Sequence, residues 1–367
     1  MSGGVDSSVT ALLMKEKGHE VIGVTLRFHS VEACEIEGTH NVCCSPKDVQ
    51  DAVKVSQRLG IPHLTFDWEK LFKERVINYF VEEYISGRTP NPCAVCNREV
   101  KTGYFARYLR AVAEVDRLAT GHYARIEEGE SGRVIKRGVD RRRDQSYFLA
   151  LVRKEDLQLL EFPLGNMTKD EVRKLARKHG LEVADKRDSQ EVCFLMGKSP
   201  GEYITNITGK REGLIRHVSG KVLGKHEGIF NFTIGQRRGL GISYHRALYV
   251  VDIDPSTNTV IVGEEEYLYN DSLFVKELNC HVPIESWKDV KAQIRYRSSP
   301  VPVKRLEKTS EGYIVRFSED VRSITPGQVV AFYSGDILLG GGVIEVFPYD
   351  KEKTAKNHSP DGHSVIS

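Results

Sequence analysis

The sequence predicts an α/β domain built on a parallel sheet with helices on both faces, followed by two small, mostly β domains. Three observations carry that expectation. Helical and extended apolar patterns alternate over roughly the first 200 residues. Beyond them the chain breaks into short runs of alternating hydrophobicity separated by Gly, Pro and Asn. A length of 367 residues also exceeds what one compact core usually holds.

Taken in order, "DSSVTALLMKEKG" has helical spacing and ends at Gly18 as a left-handed cap. The β-rich "EVIGVTLRF" follows, then a helix "PKDVQDAVKVSQRLG" and a strand "PHLTFDW". A helix around residues 73–86 precedes the pair Cys93 and Cys96, and another near 101–114 follows it. "RLATGHYARI" reads as a strand ending at Gly121–His122. In such a fold, ligands sit at the carboxyl ends of the strands. The runs "GLIRHVSGKVLGKHEG", "ALYVVDIDPSTNTVIVGEE" and "AQIRYRSSPVPVKRLEK" make the second half mostly β. Boundaries near 200 and 272 divide the chain into 1–200, 201–272 and 273–349, with a polar tail, 350–367, expected to be disordered.

Composition narrows the function classes. Lys plus Arg (53) nearly cancels Asp plus Glu (51), so a nucleic-acid partner would have to be held by local basic patches. The absence of an 18-residue apolar run and of a charged-then-apolar start predicts a cytoplasmic protein without membrane attachment. Seven cysteines, at 34, 43, 44, 93, 96, 193 and 280, suggest thiol chemistry or metal ligation rather than a disulfide framework. The C-x-x-C of "TPNPCAVCN" is open among a redox pair, half of a zinc site and part of an iron–sulfur or sulfur-relay centre.

"SGGVDSS", residues 2–8, sets glycines and hydroxyls directly before a helix, which leaves backbone N–H groups available to phosphate. It has neither the spacing nor the lysine of a Walker A loop, and G-x-G-x-x-G is absent. On local chemistry alone, an N-terminal turn capped by Asp6 is the plainer reading.

The same stretch resembles the PP-loop of the ATP pyrophosphatases, which cleave ATP between the α and β phosphates. In that superfamily a hydrophobic strand precedes the loop. This chain begins at Met1 inside it, so a first strand is expected to be missing, through a misassigned start or a truncation. Further along, "GRTPNPCAVCNREVK", "ATGHYARI", "DQSYFLA", "DSQEVCFL", "FTIGQRRGLGI" and "TPGQVVAFY" occur in an order that resembles the bacterial tRNA-specific 2-thiouridylases over nearly the whole chain.

That resemblance implies an adenine nucleotide alpha-hydrolase-like, doubly wound α/β PP-loop domain, a central β-rich domain and a C-terminal β-barrel that binds tRNA. It implies replacement of the C2 oxygen of the wobble uridine by sulfur in tRNAs for Lys, Glu and Gln. ATP with Mg²⁺ adenylates the uracil O2 and releases pyrophosphate; a sulfur nucleophile then attacks C2 and expels AMP. Met1, Ser2, Gly3, Gly4, Val5, Asp6 and Ser7 would hold ATP, with Leu26 and Gly121. Leu26 is equally readable as plain core.

By the same resemblance Cys96 is the nucleophile and Cys193 the persulfide carrier. Without it, Cys193 between Val192 and Phe194 reads as a small buried hydrophobe. Asn91, Pro92 and Cys93 would hold the target base. His122, Arg143, Asp144, Gln145, Arg295, Tyr296 and Gln328 would contact tRNA. Arg137, Arg141 and Arg142 extend a basic patch beside them, or form a solvated loop, and Arg237 and Arg238 would assist.

The chain departs from the family pattern at Cys93, where an aspartate is usual. An aspartate could act as general acid or base, whereas a second thiol is a soft metal ligand. Cys93, Cys96 and Cys193 then suggest a four-iron four-sulfur cluster held by three thiolates, with a cluster-free persulfide relay as the alternative. A zinc or structural site, with Cys43 or Cys44 as fourth ligand, is the third reading. The sulfur would come from a donor protein or a sulfide source. Two other functions compete: a PP-loop enzyme acting on a small molecule, and a non-catalytic tRNA- or metal-binding protein if the missing strand abolishes ATP binding.

Overall fold

In the computed structural model, residues 1–28, 46–130, 132–187 and 192–347 are described. The polar tail and the thiols Cys34, Cys43 and Cys44 lie outside them.

Helix α1 (Val5–Glu16) starts as soon as the glycine pair ends, and Gly18, at φ +83°, closes it as the spacing predicts. Its apolar face buries Val5, Val9 and Leu12 with Val172 and Ala176. Strand β1 (Gly23–Arg27) pairs in parallel with β2 (His63–Asp67), and α2 (Pro46–Leu59) leads into the second of these. Residues 69–85 form helix α3, which contains a π-helical turn over Lys73–Ile77.

The next helix differs from its expected limits. Helix α4 spans residues 92–113 without a break and includes a π-helical stretch, Asn97–Tyr104. Both cysteines of the C-x-x-C therefore lie in its first turns and not in a loop before it. Pro92 occupies the first helical position, where its missing N–H costs nothing, and the Asn91 side chain accepts from the Ala94 N–H as the cap. Gly103 permits the widened turn, since a Cβ there would stand 2.0 Å from the Arg98 carbonyl oxygen.

The strand expected over "RLATGHYARI" is divided. Only Leu118–Ala119 (β3) is extended, in parallel with β6 (Leu160–Glu161). Ala124–Gly129 (β4) instead forms an antiparallel hairpin with β5 (Gly132–Arg137). The chain turns between them at Gly121, which lies so close to α1 that a Cβ would meet the Asp6 backbone at 3.0 Å. Among the described residues before 200, the parallel pairing is thus two separate pairs, β1–β2 and β3–β6.

After α5 (Lys169–Lys178) and α6 (Pro200–Thr208), each begun by a capping box, the chain is β. Four strands, β7 (Gly213–His217), β8 (Val222–His226), β9 (Tyr249–Asp254) and β10 (Thr259–Gly263), pack around Ile215, Val250, Val260 and Val262. The last part comprises β11 (Tyr269–Cys280), β12 (Lys291–Gln293), β13 (Val301–Lys308), β14 (Tyr313–Arg322), β15 (Val329–Ser334) and β16 (Ile337–Glu345). Their order is β11-β14-β13-β12-β15-β16, and β16 returns to β11, so they close a six-stranded barrel with no open edge among them. The β4–β5 hairpin joins that barrel at β16, where Lys136 faces Ile337.

Candidate active site

Between the two parallel pairs opens a trough of about 2260 Å³. The phosphate loop forms one wall. Gly3 sits at φ +67°, buried, and a Cβ on it would land 2.3 Å from the Asp48 carbonyl oxygen. The extended Gly4 caps α1, and its carbonyl accepts from the hydroxyls of Ser7 (3.1 Å) and Ser8 (2.9 Å). The Ser2 N–H donates to Ser7 Oγ at 3.1 Å, and the Met1 carbonyl accepts from Thr25 Oγ1 at 2.7 Å. Val5 is core. Leu26 and Gly121 reach the trough. Beside Gly121, His122 Nδ1 pairs with Thr120 Oγ1 at 2.8 Å, and burial, with the nearby Lys101 charge, drives its pKa down to about 3. It stands there as a neutral ring.

Two lysines brace this loop, and no local pattern in the sequence announced either. Lys169 Nζ, on α5, donates to both Asp6 carboxylate oxygens at 2.8 and 2.9 Å, and the Tyr123 hydroxyl donates to Asp6 Oδ1 at 2.8 Å. Lys186 Nζ donates to the Gly3 carbonyl at 2.9 Å and to Asp48 Oδ1 and Asp51 Oδ2 on α2, each at 2.6 Å. Burial pulls the Lys186 pKa down, but its bonds to Asp48 and Asp51 leave it raised overall. The Thr168–Glu171 capping box marks where Lys169 begins its helix, but spacing says nothing of a partner 163 positions away.

The cysteine helix faces the trough from another side. Cys93 is exposed on its wall, and half-buried Cys193 lies on the same wall. Cys96 lies behind, only 6% exposed, in an apolar cluster with Phe80, Val100 and Phe194 against which Cys193 also packs. Burial, with Cys93 adding and Lys101 subtracting, pushes the Cys96 thiol up to about 11. Among the described residues no three His, Cys, Asp or Glu side chains stand together as metal ligands. Cys93, Cys96 and Cys193 are thus not gathered around one point as placed, and Cys43 and Cys44, which the zinc reading adds, lie outside the described residues. Cys280 is half-buried at the end of β11.

The expected RNA contacts divide. Arg143, Gln145 and Tyr296 line the trough with Arg141 and Arg142, and Tyr296 packs on Phe148 with ring centroids 4.4 Å apart. Asp144 is a buried hub: it takes the Arg137 guanidinium at 2.7 Å, the Gly138 N–H at 3.0 Å and the Ser146 N–H and hydroxyl. Gln145 Oε1 accepts from the Tyr123 N–H. Arg295 and Gln328 do not reach the trough wall. Arg295 Nη2 bonds the carbonyls of Ile234 and Ser323, each at 3.0 Å, and so stitches the four-stranded region to the barrel. Gln328 donates its amide to the carbonyls of Thr89 (2.8 Å) and Pro90 (3.3 Å), directly upstream of the cysteine helix. Arg237 and Arg238 are exposed and away from the trough.

Comparison with known proteins agrees with this arrangement. Family profiles described as "tRNA methyl transferase HUP domain", "tRNA methyl transferase PRC-barrel domain" and "Aminomethyltransferase beta-barrel domain" match residues 1–197, 201–264 and 270–344. A protein of Aquifex aeolicus named tRNA-specific 2-thiouridylase MnmA is 73% identical over 94% of this chain and 97% of its own length. The chain belongs to the tRNA-specific 2-thiouridylase family. Members so named in Hydrogenobaculum sp. and Clostridioides difficile are 52% and 42% identical, each over 94% of this chain and over 98% and 96% of their own lengths. Membership in this 2-thiouridylase family, of the PP-loop type, carries ATP use with it and accounts for the α/β domain followed by two β domains. Among the described residues no helix is long and apolar enough to cross a membrane.

Proposed function

We propose that the chain catalyses ATP-dependent 2-thiolation of the wobble uridine of tRNA, in tRNAs for Lys, Glu and Gln. One observation carries the reading: a single trough joins the phosphate loop, the Asn91–Cys93 segment, Cys193 and an arginine-rich turn. Such a trough takes a nucleotide and an RNA strand side by side with thiols between them. Methyl transfer, which the profile descriptions mention, gives no role to an ATP-type loop or to paired thiols.

ATP lies with its phosphates on the N–H groups at the start of α1, where the helix dipole favours anions. Mg²⁺ accompanying the triphosphate offsets its charge as pyrophosphate leaves. The uracil O2 attacks the α-phosphorus, pyrophosphate departs, and C2 then carries AMP as its leaving group. The outer sulfur of a Cys193 persulfide attacks C2 and expels AMP; the Cys96 thiolate then attacks the Cys193 Sγ, which releases 2-thiouridine and leaves a Cys96–Cys193 disulfide. Cys96 acts after the helix start shifts it toward the trough, since burial holds it protonated at neutral pH. Arg141, Arg142 and Arg143 hold phosphates of the RNA, and Tyr296 stacks on an unpaired base. The persulfide on Cys193 comes from a donor protein's persulfide by exchange, or from sulfide attacking the Cys96–Cys193 disulfide left by the previous turnover, and the enzyme works in the cytoplasm.

The test is pyrophosphate release with and without tRNA, together with nucleoside mass spectrometry for 2-thiouridine. tRNA-dependent release with 2-thiouridine supports the reading. Release that ignores tRNA points to a small-molecule substrate, and no release at all points to a binding protein. The C-x-x-C lies in one helical turn, the observation that favours a metal centre as the second reading. Iron and sulfide analysis of anaerobically purified protein decides it: stoichiometric iron would mean that Cys93, Cys96 and Cys193 converge in solution.

A further inference from the structure

We propose that Lys186 is a positioning residue for the nucleotide: it locks the Gly3–Gly4 peptide with its carbonyl turned into the protein, so that the Gly4 N–H faces the phosphates. The inference rests on ATP binding at the loop. It starts from the weakness of a glycine pair, which has no Cβ to stop the intervening peptide plane from rotating. In a trans peptide the carbonyl and the following N–H point in opposite directions. Whatever holds the Gly3 oxygen therefore decides where the Gly4 N–H points.

Lys186 holds that oxygen at 2.9 Å, from 183 positions away along the chain. Its ammonium is itself fixed by Asp48 and Asp51 at 2.6 Å, so its three protons meet three acceptors. Gly3 is buried and off the trough wall, whereas Gly4 is on it. A flipped peptide would turn a carbonyl toward the phosphates and replace an attraction by a repulsion. The loop contains no lysine of its own, and Lys169 and Lys186, which reach the trough from elsewhere, are each bonded to carboxylates, so the loop's own contribution to phosphate recognition is the orientation of its backbone N–H groups. Asp48 and Asp51 in this reading are not metal ligands but the clamp that keeps the lysine pointed at one carbonyl.

The test measures the KM for ATP and kcat of tRNA-dependent pyrophosphate release in the full chain, with wild type, Lys186→Met, Lys186→Arg and the triple variant D48N/D51N/K186M in parallel. Thermal melts accompany each. Lys186→Met should raise the KM for ATP about 10- to 100-fold, the size of a lost charge-assisted hydrogen bond, while the KM for tRNA stays within about twofold. Lys186→Arg should recover part of the loss. The triple variant removes both carboxylates together with the lysine, so no unpaired acid is left and it should fold, yet its KM for ATP should stay high. A wild-type KM in the triple variant would mean that Lys186 merely neutralises α2, and a wild-type KM in Lys186→Met would remove the lock. If wild type itself releases no pyrophosphate, the ATP reading fails first and the lock falls with it.

Discussion

The phosphate loop and the cysteine helix face one trough but are held in place by different forces. The loop is tied by charge: Lys169 on Asp6, and Lys186 on Gly3, Asp48 and Asp51. The cysteine helix is tied by apolar packing and by the barrel. Phe80, Val100 and Phe194 surround Cys96, Gln328 holds the Thr89 and Pro90 carbonyls, the Thr89 N–H donates to Pro326, and Arg88 pairs with Glu83 and Glu345. Ionic ties respond to an arriving triphosphate, whereas close packing has few alternative arrangements. The loop is thus oriented by charged ties, and Cys96 is kept buried by packing.

The comparison breaks most sharply at the thiols. Cys96→Ser and Cys193→Ser should each lower 2-thiouridine formation by at least about 1000-fold while pyrophosphate release stays within about tenfold, because activation and sulfur attack are separate steps. Nucleoside mass spectrometry beside a pyrophosphate assay reads both, and a parallel loss of the two would erase the division between the walls. Next in size, Gly3→Ala puts a Cβ against Asp48 at a residue with positive φ. It should cost about 2–4 kcal/mol in a urea melt and weaken ATP more than tRNA.

A pH series sharpens the thiol side. The Cys96 pKa is raised by burial from 9.0 to about 11, so folding favours the protonated form. Its contribution is complete below about pH 9 and is lost as pH rises toward about 11, a change of about 2–3 kcal/mol that Cys96→Ala should abolish. Difference melts of the two proteins across that range would show it. The smallest effect belongs to Gln328→Leu, which removes two donors to the upstream segment. About 1–2 kcal/mol of stability should go, with faster iodoacetamide labelling of Cys93 and Cys96. Weaker tRNA binding with unchanged labelling would instead make Gln328 an RNA contact.

What the sequence disclosed was local. The glycine pair before α1, the Gly18 cap and the period-two runs beyond residue 200 each predict the element found there. The start of α4 was misread because two prolines look like breakers, although Pro92 at the first helical position favours a helix. The lysine braces, the Asp144 hub and the burial of Cys96 depend on contacts between distant segments, which spacing along one chain does not encode. The same holds for Arg295 and Gln328: the resemblance implies RNA contact, while in the structure both bond backbone carbonyls of distant segments.

The hairpin Ala124–Arg137 has a consequence for biosynthesis. Its second strand, β5, borders residues 337 and 338, which leave the ribosome long after it does. Until then Gly132–Arg137 offers unsatisfied backbone groups to any neighbouring nascent chain. A fragment ending near residue 200 should therefore aggregate, and a barrel supplied in trans should rescue its solubility.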